Sequence, residues 1–348
     1  MPFDVLIIMK RIYPFIFALA FWGISIAPVL KSDVSINTFE KDFLGHEKLI
    51  EVFNTLRIRL GDRVFPNVII GEQGWLYYTA AKTMNEYQGS NPYTPDEMKE
   101  VGGSWDALAV QLKQKGIKLV VLIAPDKNTI YPEYLPSQIK RIGPQSRLDQ
   151  FVEYMQNHGK VTVIDIRPDL IEASKTEQVY YKTDTHWNPR AEYIAYSKIM
   201  SVLSRKFPEL VIHPYSDYEI VHGGLVTFGI PRILGMPRIQ EEYWSLHPKF
   251  ETGTTISEIP LSDENLTNIR FSINQNQNLP SMLIYHDSFL VGVVPLLEPH
   301  FKQVTSIPNT PVPGIWNIHW VDQVHPDIVI IEGVERYINE KIYLPTGQ

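Results

Sequence analysis

The sequence contains no cysteine. Disulfides, thiol nucleophiles and cysteine-ligated zinc are therefore excluded, and nothing in the composition marks a redox compartment. An excess of positive charge is also missing: 39 Asp and Glu outnumber 32 Lys and Arg, for a formal net charge of −7. Nucleic-acid binders are more often basic, so that class is set aside. There are no internal repeats and no low-complexity tracts, which argues against repeat arrays and disordered linkers.

The 348 residues, 44% of them hydrophobic, suit one large domain or one domain with insertions. Aromatics are plentiful, with 18 Tyr, 15 Phe and 7 Trp. Such a composition is compatible with carbohydrate handling, although most of the rings are needed for a core.

Charge is also absent from residues 12–30, directly after Lys10 and Arg11. The stretch has about the length (~20 residues) that spans a bilayer as a helix. The basic flank favours a cytoplasmic N-terminus, which puts the rest of the chain on the far side of the membrane. A cleaved signal peptide and an uncleaved signal-anchor both fit. The length of the run and the lack of an obvious small-x-small site before Lys31 favour the anchor. The expected organisation is an anchor over 1–32, an amphipathic connecting helix over 33–65, and a catalytic domain over 66–348. A loop and strand insertion is expected at about 207–280, where Pro, Gly, Asn, Ser and Thr are enriched.

Along the domain, Val68, Ile69 and Ile70 form a short strand, and a turn at Gly71 to Gly74 leads into an aromatic strand. Thr94-Pro95-Asp96-Glu97 is a helix start, with Gly116 ending the helix. Continuous apolar runs at 118–124, 161–166, 282–285 and 328–331 read as strands covered on both faces. Helices are expected near 146–157, 189–206 and 289–297. Alternating strands and helices argue for an α/β fold with a mainly parallel sheet.

Two short segments carry the chemistry. In Lys182-Thr183-Asp184-Thr185-His186-Trp187-Asn188, a carboxylate and an imidazole lie two residues apart, where the carboxylate can fix the imidazole tautomer. In Tyr285-His286-Asp287-Ser288-Phe289, a serine follows a buried strand and precedes an expected helix, at the sheet edge where α/β proteins bind ligands. The helix N-terminus there would favour an oxyanion. Blander readings stand beside these: capping by Asp287 or Ser288, and Asn188-Pro189 as an ordinary helix start. Zinc ligation by Asp184 and His186 with His286 is a weaker alternative, and the spacing demands no metal.

These residues carry a family resemblance. The chain resembles the SGNH-hydrolase-like acetyltransferases of the alginate O-acetylation family. The matching segments are Gly71-Glu72-Gln73-Gly74-Trp75-Leu76-Tyr77-Tyr78, Ala124-Pro125-Asp126-Lys127-Asn128-Thr129-Ile130-Tyr131-Pro132, Tyr181 to Asn188, His286 to Phe289, and Ile331-Glu332-Gly333-Val334-Glu335-Arg336-Tyr337. They run in the family's order, with Asp and His before Ser. His286 stands where many members have glycine. With no long extension after the last segment, the chain resembles the membrane-anchored members more than the two-domain ones.

The resemblance implies a three-layer SGNH-hydrolase-like α/β fold and a periplasmic O-acetyltransferase acting on an exopolysaccharide, held in the inner membrane. Ser288 would be the nucleophile, His186 the base and Asp184 its orienter. The implied partners are the polysaccharide acceptor and a membrane acyltransferase that supplies acetyl groups; no cofactor is implied. Lys127, Tyr131, Trp187, Glu332 and Arg336 are candidates for shaping the site or holding an anionic glycan. Each has a structural reading: Lys127 paired with Asp126, Trp187 in the core, Glu332 and Arg336 as an ion pair. A carbohydrate acetylesterase with the same triad, and a non-catalytic glycan-binding or assembly protein, remain as alternative functions.

Overall fold

The computed structural model describes residues 46–259, 268–308 and 318–338. The expected anchor over 1–32 lies outside them, as does the first part of the expected connecting helix over 33–65. Among the described residues no helix is long and apolar enough to cross a membrane. The chain divides into two compact units, Met1–Asp62 and Arg63–Gln348. In the first, helix α1 (His46–Arg59) leaves Val52, Phe53 and Leu56 about half exposed.

The second unit opens with a small antiparallel sheet of β1 (Val64–Phe65), β2 (Val68–Ile70) and β3 (Leu76–Tyr78). Helix α2 (Thr83–Gln88) leads to α3 (Pro95–Gln114). Thr94 caps α3 by accepting from the Glu97 N–H, while the Glu97 side chain accepts from the Thr94 N–H. This is the reciprocal cap that the local sequence calls for. Strand β4 (Lys118–Ala124), the short α4 (Lys127–Ile130), α5 (Arg147–His158), β5 (Thr162–Asp165), α6 (Arg167–Ser174) and α7 (Pro189–Leu203) follow.

Beyond them come β6 (Tyr218–Val226), α8 (Gly229–Ile233), β7 (Glu241–Pro248), β8 (Thr254–Ile259), β9 (Ile269–Asn274), β10 (Ser281–His286), α9 (Val294–Leu297), β11 (Gln303–Pro308), α10 (Ile318–Val324) and β12 (Ile328–Val334). The central sheet has the order β5-β4-β12-β10-β11-β9-β8. Its first five strands are parallel, and β9 and β8 add an antiparallel edge.

Side chains alternate across this sheet and make two cores. Leu119, Val121, Ile123, Leu283, Tyr285, Val329 and Ile331 pack with Trp105, Leu108 and Leu112 of α3 and Phe151 and Met155 of α5. Val120, Leu122, Ala124, Met282, Ile284, Ile328 and Ile330 pack with Ala195, Tyr196, Ile199 and Leu203 of α7. Continuous apolar strands are what burial on both faces requires.

Two expectations change. Only part of 207–280 stands apart from the central sheet: β6 and β7 pair as a two-stranded ribbon, whereas β8 and β9 extend the sheet edge. The expected helix over 289–297 is broken into a single turn at Ser288–Leu290 and α9. Pro295, near the start of α9, cannot donate into a preceding helical turn, and its ring would clash with the carbonyl four residues back.

Candidate active site

The C-terminal ends of β4, β10 and β12, together with the loop before α7, converge on one edge. The 181–186 loop is a closed turn rather than an extended segment. Tyr180 and Trp187 bridge its base, the Tyr181 N–H donates to the His186 carbonyl (3.3 Å), and the Asn188 N–H donates to the Val179 carbonyl (3.0 Å). Asn188 then caps α7 through its side-chain oxygen. Asp184 and His186 are thus carried at the tip of a rigid base.

Ser288 follows β10 and is exposed, while Asp287 and Phe289 on either side are buried. Asp287 creates the turn: its Oδ1 accepts from the Phe289 N–H (2.8 Å) and its Oδ2 from the Val334 N–H (2.8 Å). His186 Nε2 lies 2.7 Å from Ser288 Oγ. On the other side of the ring, Nδ1 lies 3.3 Å from Asp184 Oδ1 and 3.3 Å from Thr185 Oγ1. A base–hydroxyl contact of this length is short enough for proton transfer, and looser orienting contacts are common before substrate binds. Burial pushes the Asp184 carboxyl up, but its bond with His186, the Thr185 N–H and the Lys127 charge outweigh this and hold it below the usual range.

The remaining sequence-derived candidates lie behind this edge. Trp187 is buried, donates its Nε1–H to the Phe289 carbonyl (2.8 Å) and so ties the histidine loop to the serine turn. The Tyr131 hydroxyl accepts from the Val179 N–H (2.8 Å), and its carbonyl accepts from the Tyr77 hydroxyl (2.6 Å). Lys127 is buried and directs its ammonium at the carbonyls of Tyr181 (3.1 Å), Lys182 (2.8 Å) and Asp184 (2.6 Å). Glu332 accepts from the Asp287 N–H (3.0 Å), and Arg336 pairs with Asp126, not with Glu332. Direct glycan contact does not fit side chains this buried; they hold the two site loops.

His286, the departure from the family pattern, is a brace. Its Nδ1 lies 2.7 Å from the Asp287 carbonyl and its Nε2 2.7 Å from Ser306 Oγ. Burial lowers its basicity, so the neutral ring donates to the carbonyl and accepts from the hydroxyl. Sequence reasoning passed over three further carboxylates. Glu335 accepts from the Asp126 N–H (2.8 Å) and the Thr129 hydroxyl (2.7 Å). Glu241 binds the 182–183 backbone. Glu192 presses on the turn after Ser288: a Cβ on Gly292 would meet its Oε1 at 2.1 Å, and burial raises its carboxyl to about 7.

A mainly parallel sheet carrying Asp-x-His ahead of a serine at its C-terminal edge defines an SGNH hydrolase-like domain. The family model described as the SGNH hydrolase-like domain of acetyltransferase AlgX matches residues 68–227. The chain is 30% identical over 308 residues to the probable alginate O-acetylase AlgJ of Pseudomonas syringae pv. tomato, covering 78% of this chain and 69% of that protein. It is 31% identical over 130 residues to the AlgJ of Pseudomonas aeruginosa, covering 36% of this chain and 30% of that protein.

Among solved structures, the sulfonyl adduct of Bacillus cereus PatB1 superposes with a TM-score of 0.60 at 14% identity, over 80% of this chain and all (100%) of that one. The O-acetyltransferase domain of Pseudomonas putida AlgJ gives a TM-score of 0.52 at 17% identity, over 80% of this chain and 94% of that one. These likenesses establish the fold. The sequence match establishes the family: the chain belongs to the AlgJ family of SGNH hydrolase-like alginate O-acetylases.

Proposed function

We propose that this protein transfers acetyl groups to the hydroxyls of an exopolysaccharide through an acetyl-Ser288 intermediate. The observation that carries this reading is the 2.7 Å contact between His186 Nε2 and the exposed Ser288 hydroxyl. His186 takes the Ser288 proton as Oγ bonds to the acetyl carbon of a donor ester. The tetrahedral intermediate collapses, the donor C–O bond breaks, and the leaving oxygen takes the proton from His186. The Ser288 N–H is the backbone candidate for the oxyanion in this reading, since the Phe289 N–H is committed to Asp287. An acceptor hydroxyl, deprotonated by His186, then takes the acetyl group and frees Ser288. Asp184 holds the imidazole tautomer and balances the imidazolium charge.

The AlgJ relatives are named for alginate O-acetylation, which supports a polysaccharide acceptor. In this reading the uncharged 12–30 segment holds the protein in the inner membrane with the catalytic domain in the periplasm. A membrane acyltransferase partner delivers the acetyl groups. Incubating the purified protein with p-nitrophenyl acetate, with and without acceptor oligosaccharides, tests the reaction class. Acetylated oligosaccharide supports transfer. Acetate release that acceptors leave unchanged favours an esterase.

A further inference from the structure

The loop that carries Asp184 and His186 is gripped on both of its hydrogen-bonding sides. On one side the Lys127 amino group reaches three acceptors, the carbonyls of Tyr181, Lys182 and Asp184. Three acceptors match the three donors of an ammonium; a neutral amine would leave one carbonyl unserved. The rings of Trp75 and Tyr77 lie 5.6 and 5.5 Å from the same nitrogen. On the other side Glu241, the first residue of β7, accepts from the N–H groups of Lys182 (3.0 Å) and Thr183 (2.8 Å) and from the Thr183 hydroxyl (2.8 Å). Glu241 also accepts from the Gln178 side-chain amide (3.4 Å), and neither side chain bonds to His186 or Ser288.

We propose that Lys127 and Glu241 are positioning residues. They clamp the 181–184 backbone between the Lys127 amino group and a carboxylate and thereby set the reach of Asp184 to His186. Burial lowers the pKa of that amino group to about 7. The Asp184–His186 contact is long, 3.3 Å, so small displacements of this loop decide whether it is made. The clamp also joins the β6–β7 ribbon to the reacting groups, because Glu241 belongs to that ribbon. The ribbon meets the loop a second time at Trp244, whose N–H donates to the Tyr181 hydroxyl (3.1 Å) and whose carbonyl accepts from it (2.8 Å).

This inference rests on the acyl-serine reading, and the test separates the two. The full-length chain is treated with phenylmethylsulfonyl fluoride and Ser288 modification is followed by mass spectrometry. In that reaction the serine oxygen bonds to sulfur, fluoride leaves, and His186 takes the proton. The rate constant reports activation of Ser288, and the amplitude reports the folded fraction. Glu241→Ala is expected to label at least tenfold more slowly with full amplitude, and Lys127→Met likewise. Glu241→Gln, which keeps one oxygen for the N–H donors, falls between. Glu242→Gln, the same charge change at the exposed neighbouring position, labels at the wild-type rate. A wild-type rate constant in Glu241→Ala, or a lower amplitude alone, overturns the clamp. A wild-type protein whose Ser288 does not label overturns the acyl-serine reading instead.

Discussion

Two polar constellations lie back to back at the sheet edge, and they differ in almost every physical respect. The outer one, Asp184, His186 and Ser288, opens to solvent, and its members face one another. The inner one, Asp126, Glu332, Glu335 and Arg336, is sealed under the serine turn. Burial raises all three of its carboxyls, Glu335 to about 8, with neighbouring acids adding to the effect. Among the described residues Asp126 Oδ2, Glu332 Oε1 and Arg336 Nε have no hydrogen-bond partner. Perturbed titration alone therefore does not mark the proposed reacting groups here. Access and mutual geometry do, while the more strongly shifted acids serve as scaffold through backbone contacts to Asp126, Asp287 and the turn.

Removing the proposed nucleophile draws this contrast most sharply. Ser288→Ala is expected to lower turnover of p-nitrophenyl acetate by roughly 1,000-fold or more without changing the melting temperature. Removing the inner cation does the reverse. Arg336→Met strands Asp126 in the interior and is expected to cost about 3–5 kcal/mol in urea unfolding.

A subtler separation uses pH. The folded-state value of Glu335 lies above its unfolded value, so the stability it contributes is fully present below about 4.5 and is lost as pH rises through about 8. Glu335→Gln is expected to remove a downward slope of up to about 1.4 kcal/mol per pH unit across that window, measured as unfolding free energy against pH. Smallest is Ser306→Ala, which takes away the hydroxyl that His286 accepts from. It is expected to cost about 1–3 kcal/mol in stability while leaving the rate per active site unchanged.

Much of the outer site was legible in the sequence because its signals are local. Asp184 and His186 are two residues apart, and Ser288 directly follows a run of apolar residues that can only be a buried strand. The strand over 118–124 was equally plain, bounded by Gly116 and Pro125. The inner cluster was not legible, because its pairs join residues far apart in the chain: Arg336 meets Asp126, and Glu335 reaches Thr129. Glu241 was missed for the same reason, its partners lying 58 or 59 positions away in a polar stretch. Strands β8 and β9 lack a continuous apolar run because they form the sheet edge, and β8 is mostly exposed. The helix after Ser288 was misjudged because apolar composition was weighed above Gly292 and Pro295.

The acetyl-serine intermediate can be sought directly. The protein is mixed with p-nitrophenyl acetate, quenched in acid during turnover, digested, and the peptide carrying Ser288 is weighed. One added acetyl group on Ser288, formed in step with p-nitrophenol release and absent from Ser288→Ala and His186→Ala, is the expected result. Full turnover with Ser288 unmodified, or with the acetyl group on another residue, would contradict the assignment.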